Sequence, residues 1–264
     1  MSGVENPVLL TRENGIARIT LNRPKAGNAI DLPLARALWE AANEVDEDES
    51  IRVVTLTGAG KLFCGGGDVG AFANAGERFS TLLKELTGYV HSAIARFARM
   101  NKPMVTIING PAAGAGFNLS LMGDIAIASQ SVHFTTAYTG IGLTPDGGAT
   151  WLLPRLVGMR RAQEIILLNK RVSATEAAEI GMITKVVPDE ALAEEAEAIV
   201  TKLADGATRA LGRTRNLLNT GFEASLETQL ELEARAIAAS GRDPEGREGV
   251  AAFLAKRKPG FRAQ

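Results

Sequence analysis

Twice in the first 120 residues a short apolar run is followed by a single glycine and then by a glycine cluster. Val53-Val54-Thr55-Leu56 leads to Gly58 and on to Gly65-Gly66-Gly67-Asp68, and Val105-Thr106-Ile107-Ile108 leads to Gly110 and on to Gly114-Ala115-Gly116. Each unit reads as a strand, a glycine-rich turn and a helix, and their repetition reads as successive turns of a superhelix. Around them, Ile16-Ala17-Arg18-Ile19-Thr20-Leu21 and Asp124-Ile125-Ala126-Ile127-Ala128 are further strands, and Asn22-Arg23-Pro24 breaks the first. Asp31 can cap a helix whose second residue is Pro33, with Leu34, Leu38, Trp39, Ala42 and Val45 on one apolar face. Residues 82–100 read as another helix, and strands separated by helices imply parallel pairing.

From about residue 160 glycine thins out and helical periodicity takes over, with candidate helices at 173–180, 189–204, 206–219, 223–239 and 244–255. Leu226, Leu230 and Ile237 mark one face of the fourth. An all-helical end on an α/β body reads as a lid or an assembly surface. No linker-like run separates the halves, so 264 residues read as one structural unit able to bury about 75 % of its unfolded surface.

Charge and composition exclude several function classes. With 29 basic and 30 acidic residues there is no electrostatic reason to expect nucleic acid as a partner. A single cysteine rules out a disulfide framework and a cysteine-built zinc site, and two histidines leave little for a histidine-based metal site. No apolar run approaches the ~20 residues of a membrane span, and the start of the chain lacks the basic and apolar regions of a signal peptide. The expectation is a cytoplasmic protein without metal.

Gly65, Gly67 and Gly70 match G-x-G-x-x-G, but a dinucleotide fingerprint joins its strand directly to its helix, and here Gly58 to Cys64 intervene. There is no Walker loop and no G-x-S-x-G elbow. Two glycine turns at helix starts can each present free N–H groups. If they converge, they cradle an oxygen that gains negative charge. The same glycines need do no more than allow tight turns and close packing.

The motifs together resemble the enoyl-CoA hydratase/isomerase (crotonase) superfamily over nearly the whole chain. Asn22 to Ala29 is similar to its first segment, Phe63-Cys64-Gly65-Gly66-Gly67-Asp68-Val69 to its first oxyanion loop and Asn109 to Phe117 to its second. Pro145-Asp146-Gly147-Gly148-Ala149 matches the following loop, and Glu248 to Pro259 the C-terminal helix. The resemblance implies a ββα superhelix: residues 1–200 as an acyl-CoA-binding core and 201–264 as a helical trimerisation region of a homotrimer or homohexamer. It implies an acyl-CoA thioester whose carbonyl sits between the main-chain N–H groups of Gly65 and Ala115. Coenzyme A, a part of the substrate rather than a cofactor, would run along Lys25, Ala26, Gly65, Gly66, Gly67, Asp68 and Ala115.

The positions where hydratases of this family carry two glutamates fall on Asn118 and Tyr138. An amide accepts no catalytic proton, and a phenol with an ordinary pKa of about 10 is a poor base near neutrality. Asp146 stands in the loop where double-bond isomerases of the family carry one acid/base carboxylate, and Gly142 to Arg155 resembles ring-epoxyphenylacetyl-CoA isomerase-type members. Asp146 by itself reads as the cap of a helix beginning near Gly147; with the resemblance it reads as the proton shuttle, with Tyr138 and Asn118 lining or orienting the acyl pocket. The implied reaction is isomerisation of a 3-enoyl-CoA to a 2-enoyl-CoA. Hydration by an atypical acid/base set and non-catalytic acyl-CoA binding are the alternatives. His91 resembles in position the histidine of 4-chlorobenzoyl-CoA dehalogenases, although a histidine on a helix is more often a bland surface or core residue. Asp68 reads also as a helix cap, Asp124 as a turn residue, Cys64 as a packed small side chain, and Lys256-Arg257-Lys258 as a solvated tail.

Overall fold

A computed structural model describes residues 6–263. The chain runs β1 (Val8–Glu13), β2 (Ile16–Leu21), α1 (Leu32–Glu47), β3 (Val53–Gly58), α2 (Val69–Asn74), α3 (Phe79–Arg99), β4 (Met104–Ile108) and β5 (Ala112–Ala113). It continues through α4 (Ala115–Ser120), β6 (Ile125–Ser129), β7 (His133–Thr135), α5 (Ala149–Val157), α6 (Met159–Leu167), β8 (Val172–Ser173), α7 (Ala174–Glu179) and β9 (Lys185–Val187). Four helices close it: α8 (Leu192–Ala204), α9 (Thr208–Gly221), α10 (Leu226–Arg242) and α11 (Pro244–Leu254).

The larger sheet has the order β1-β2-β3-β4-β6-β9, parallel throughout except for the antiparallel β1. Strand neighbours alternate between its two faces. Ala17, Val54, Leu56 and Met104 join the main core beneath α1 and α3, while Ile16, Val53, Val105 and Ile127 pack against Leu192, Ala196 and Val200 of α8. A sheet covered on both faces explains the uninterrupted apolar runs read from the sequence. Helix α1 starts as expected, with the Asp31 carboxylate accepting the Leu34 N–H at 3.0 Å.

A second, smaller sheet runs β5-β7-β8, and an isolated bridge joins Cys64 to Ala112. Each superhelical turn therefore places one strand in the large sheet, a short extended piece beside the next turn's, and a helix outside. The two glycine clusters lie side by side for this reason. The Ala113 N–H donates to Cys64 O at 2.9 Å, and a Cβ built on Gly66 would stand 2.8 Å from Ala113 O.

The C-terminal half is not all helical. Strand β9 pairs with β6 and completes the large sheet, and β8 edges the small one. Strands of two and three residues are too short to show a period of two. Asp124 is more than a turn residue. Its carboxylate accepts the Met104 N–H at 2.7 Å and pairs with Arg215 Nε at 2.6 and 2.8 Å, which fastens α9 to the sheet. Among the described residues no helix is long and apolar enough to cross a membrane.

Candidate active site

The glycine clusters open onto a cavity of about 600 Å³. Its walls are Phe72 and Val69 of α2, Phe79, Leu83, Leu86 and Val90 of α3, and Ile141 and Leu143 of the loop before α5. The polar groups on this apolar lining are few: the main chains of Gly65 to Gly67 and Gly114-Ala115, the Lys84 amine, four hydroxyls (Ser80, Thr87, Tyr138 and Thr144), and Asp146, the only carboxylate among the described lining residues. An apolar cavity with a few converging polar groups is the form of a small-molecule site.

The expectation that Gly65 supplies a free N–H is not met. That N–H donates to Gly27 O at 2.9 Å. The strand explains which amide is free instead. Ile30 pairs with Gly67 in parallel, its N–H donating to Gly66 O at 2.7 Å and its carbonyl accepting the Asp68 N–H at 3.0 Å. In such a ladder Gly67 turns its own N–H to the opposite side. Among the described residues neither the Gly67 N–H nor the Ala115 N–H has a main-chain partner; Ala115 is the first residue of α4, where no intrahelical acceptor exists. Two unpaired donors at the floor of one cavity can hold an anionic oxygen. Gly116 has to be glycine, because a Cβ there would overlap the Cys64 carbonyl oxygen. Gly116→Ala is expected to cost about 1–3 kcal/mol in overpacking and to turn Ala115 out of place; chemical denaturation reads the first effect and turnover the second.

Asp146 does not cap a helix. Helix α5 starts at Ala149 with Gly148 as its cap and no side-chain bond. The carboxylate instead accepts the Tyr138 hydroxyl on Oδ1 at 2.5 Å, and Oδ2 stands 3.3 Å from His91 Nε2. Asn118 lies behind this pair, 2 % exposed and outside the cavity lining. Its Nδ2 donates to Tyr138 Oη at 2.8 Å and to the Asp146 carbonyl at 2.7 Å. Asn118 thus orients the acidic loop and does not line the pocket, whereas Tyr138 does both. Burial, and then the Asp146 carboxylate, push the Tyr138 phenol far above its ordinary pKa, so it stays a hydrogen-bond donor.

The other expected residues lie apart from the cavity. Asp68 caps α2 by accepting the Ala71 N–H at 3.1 Å and pairs with Arg23 at 3.3 Å. Lys25 and Ala26 are exposed on a single turn just before Gly27, at the outer edge of the first glycine loop. Among the described residues no cluster of three or more metal-ligating side chains occurs. Cys64 is buried with its thiol pushed up to about 12 by desolvation. The native protein is therefore expected to resist thiol alkylation until it unfolds. Stability falls with rising pH between the ordinary value of 9.0 and about 12, because there the unfolded chain releases a proton that the folded chain keeps.

Two contributors escaped the sequence. The first donor is expected at Gly65, with Gly67 only along coenzyme A, and strand pairing alone moves it to the Gly67 amide. Asn169, on the turn after α6, accepts the Ala137 N–H at 2.7 Å and so holds Ala137, at φ 62°, immediately before Tyr138. No pattern in the sequence marks that long-range bond.

Residues 11–264 match the family model of Enoyl-CoA hydratase/isomerase. The chain is 40% identical over 250 residues to the 1,2-epoxyphenylacetyl-CoA isomerase of Escherichia coli, covering 94% of this chain and 95% of that protein. It is equally 40% identical, over 247 residues and 94% of each chain, to a Rhodobacter capsulatus protein named "Probable enoyl-CoA hydratase". The crystal structure of enoyl-CoA hydratase from Bacillus anthracis superposes with a TM-score of 0.92 at 31% identity, covering 98% of this chain and 100% of that one. These likenesses carry the crotonase-type α/β superhelix over to this chain, and the chain belongs to the enoyl-CoA hydratase/isomerase family.

Proposed function

We propose that this protein isomerises an unsaturated acyl-CoA, moving a 3-enoyl double bond into conjugation with the thioester. The observation that carries this reading is the single carboxylate, among the described residues, in a largely apolar cavity whose floor has two main-chain donors without main-chain partners. Asp146 Oδ2 takes a proton from the α carbon, the C–H electrons pass into the thioester, and the enolate oxygen lies between the Gly67 and Ala115 N–H groups. The same carboxyl returns the proton to the γ carbon while the double bond shifts, so no net proton or electron is exchanged and neither metal nor redox cofactor enters. Preorganised donors of this kind are worth roughly 10²–10³ in rate each. Hydration asks for a second group to hold water, and Asn118 and Tyr138 are already spent on each other and on Asp146. The E. coli relative named an isomerase supports the choice, and the equally similar protein named a hydratase makes it worth testing.

The test compares a 3-enoyl-CoA and a 2-enoyl-CoA with the same preparation. Isomerisation raises the absorbance of the conjugated thioester from the first substrate; hydration lowers it from the second. Rapid hydration of the 2-enoyl ester with no isomerisation would overturn the assignment, as would tight binding of both esters without turnover. The same proposal places the enzyme in the cytoplasm as a homotrimer or homohexamer assembled through residues 201–264. It accounts for exposed Leu218, Phe222, Leu226 and Leu230 on α9, α10 and the turn between them, and sedimentation checks it.

A further inference from the structure

The loop that carries Asp146 is fastened to α3 through one atom. The Gly147 N–H donates to His91 Nε2 at 3.0 Å, and the same nitrogen stands 3.3 Å from Asp146 Oδ2. A peptide N–H only donates, so the nitrogen that receives it carries a lone pair and the ring proton sits on Nδ1. In this form the imidazole gives nothing to Oδ2, which is left as the free oxygen of a carboxylate held at Oδ1 by Tyr138. A proton on Nε2 would confront the Gly147 N–H and would be donated to Oδ2 instead. The two bonds use one position on one nitrogen and exclude each other. Gly147 has little freedom to follow the ring, since it is at φ +56° and a Cβ there would stand 2.9 Å from Asn118 Nδ2 and 3.3 Å from Ile94 Cδ1.

Resting on Asp146 as the proton carrier, we propose that His91 is a positioning residue with an acid switch. Unprotonated, it clamps the Gly147 N–H and leaves Asp146 Oδ2 free for substrate; protonated at Nε2, it releases the clamp and ties Oδ2 into an ion pair. Solvent reaches the ring, whose side chain is 49% exposed. Asp146 is the only charged group within ion-pairing distance of it among the described residues, and Tyr138 acts on it through that carboxylate. On its own helix the positions three and four away, Thr87, Gly88, Ile94 and Ala95, carry no charge, and Lys84 lies two turns back on the cavity wall.

The experiment combines pH–rate profiles on a 3-enoyl-CoA with imidazole ¹⁵N spectra. The chain has two histidines, so His91→Gln assigns the signals by loss. Wild-type kcat/KM is expected to fall on acidification as Nε2 of His91 takes up a proton. In His91→Gln the side-chain oxygen still accepts the Gly147 N–H but cannot be protonated; the rate at high pH is largely kept, and the acid limb set by His91 disappears. His91→Ala loses the clamp and drops kcat by up to about 10²-fold at high pH, where wild-type His91 holds the Gly147 N–H, with KM changed less; on acidification the gap to wild type narrows. At about pH 8 the spectra show His91 in the Nδ1–H form, and the Gly147 amide signal moves as His91 titrates. An unchanged acid limb in His91→Gln, or an Nε2–H tautomer at high pH, overturns the proposal. Full isomerase activity in Asp146→Asn overturns it by a separate route: the base would be misassigned while the His91 tautomer stayed as described.

Discussion

Asp146→Asn is expected to lower kcat for 3-enoyl-CoA isomerisation by about 10²–10⁴-fold, with KM changed little. The carboxamide has nearly the shape of the carboxylate and its oxygen can still accept the Tyr138 hydroxyl, so the contact at Oδ1 survives. What disappears is the lone pair on the second oxygen that takes the proton, and an amide nitrogen supplies none. Asp146 caps no helix, and the bonds that hold its loop run to main-chain atoms: the Asp146 carbonyl accepts from Asn118, and the Gly147 N–H donates to His91. Stability should therefore stay within about 0.5 kcal/mol of wild type. A denaturation curve beside the steady-state rates separates the two effects, and a variant of full activity would show that another group moves the proton.

Replacing Arg215 by methionine has the largest expected effect on stability. The guanidinium is buried to 7 % exposure on α9 and uses every arm: Nε on both oxygens of Asp124, Nη1 on Met100 O at 2.9 Å and Nη2 on Phe97 O at 2.6 Å. The two carbonyls belong to the C-terminal end of α3, which is left without intrahelical donors. Asp124 in turn accepts the Met104 N–H at the start of β4. Methionine keeps much of the packing but leaves a carboxylate and two carbonyls unanswered. Breaking a buried pair costs about 3–5 kcal/mol, and the lower end applies because water still reaches Asp124, whose side chain is 31% exposed. A loss of about 3 kcal/mol corresponds to roughly 6–12 °C in Tm. A variant melting with wild type would mean that α9 is held by its apolar contacts alone.

The chain's local physics was legible wherever a pattern persisted over a full element. The helix after Asp31, the strands at 16–21, 53–58 and 104–108, and helices α8 to α11 all stand within a few residues of their expected places. Each carries either a cap, a helical stripe or an apolar run long enough to count. Among the elements that went unread, β5, β8 and β9 are strands of two or three residues whose partners lie elsewhere in the chain, β1 is a largely exposed edge strand beside β2, and α6 is a nine-residue helix. The motifs around Gly65, Ala115 and Asp146 were enough to name the family, because spacing between glycine turns is a one-dimensional quantity.

Which atoms face the cavity is not. Whether the Gly65 or the Gly67 amide is free depends on the pairing of Ile30 with Gly67, a contact between segments nearly forty residues apart. Whether Asp146 caps a helix or meets Tyr138 depends on the turn of two glycines, 147 and 148, both at positive φ. His91 meets Gly147 across 56 positions. Sequence alone determined the superhelix, the two glycine turns and the lone aspartate among them, since these follow from propensity and spacing. Only the tertiary structure decided which N–H groups, which carboxylate oxygen and which ring nitrogen are free, because a hydrogen bond is directional and its partner is set by the fold rather than by neighbours in the chain.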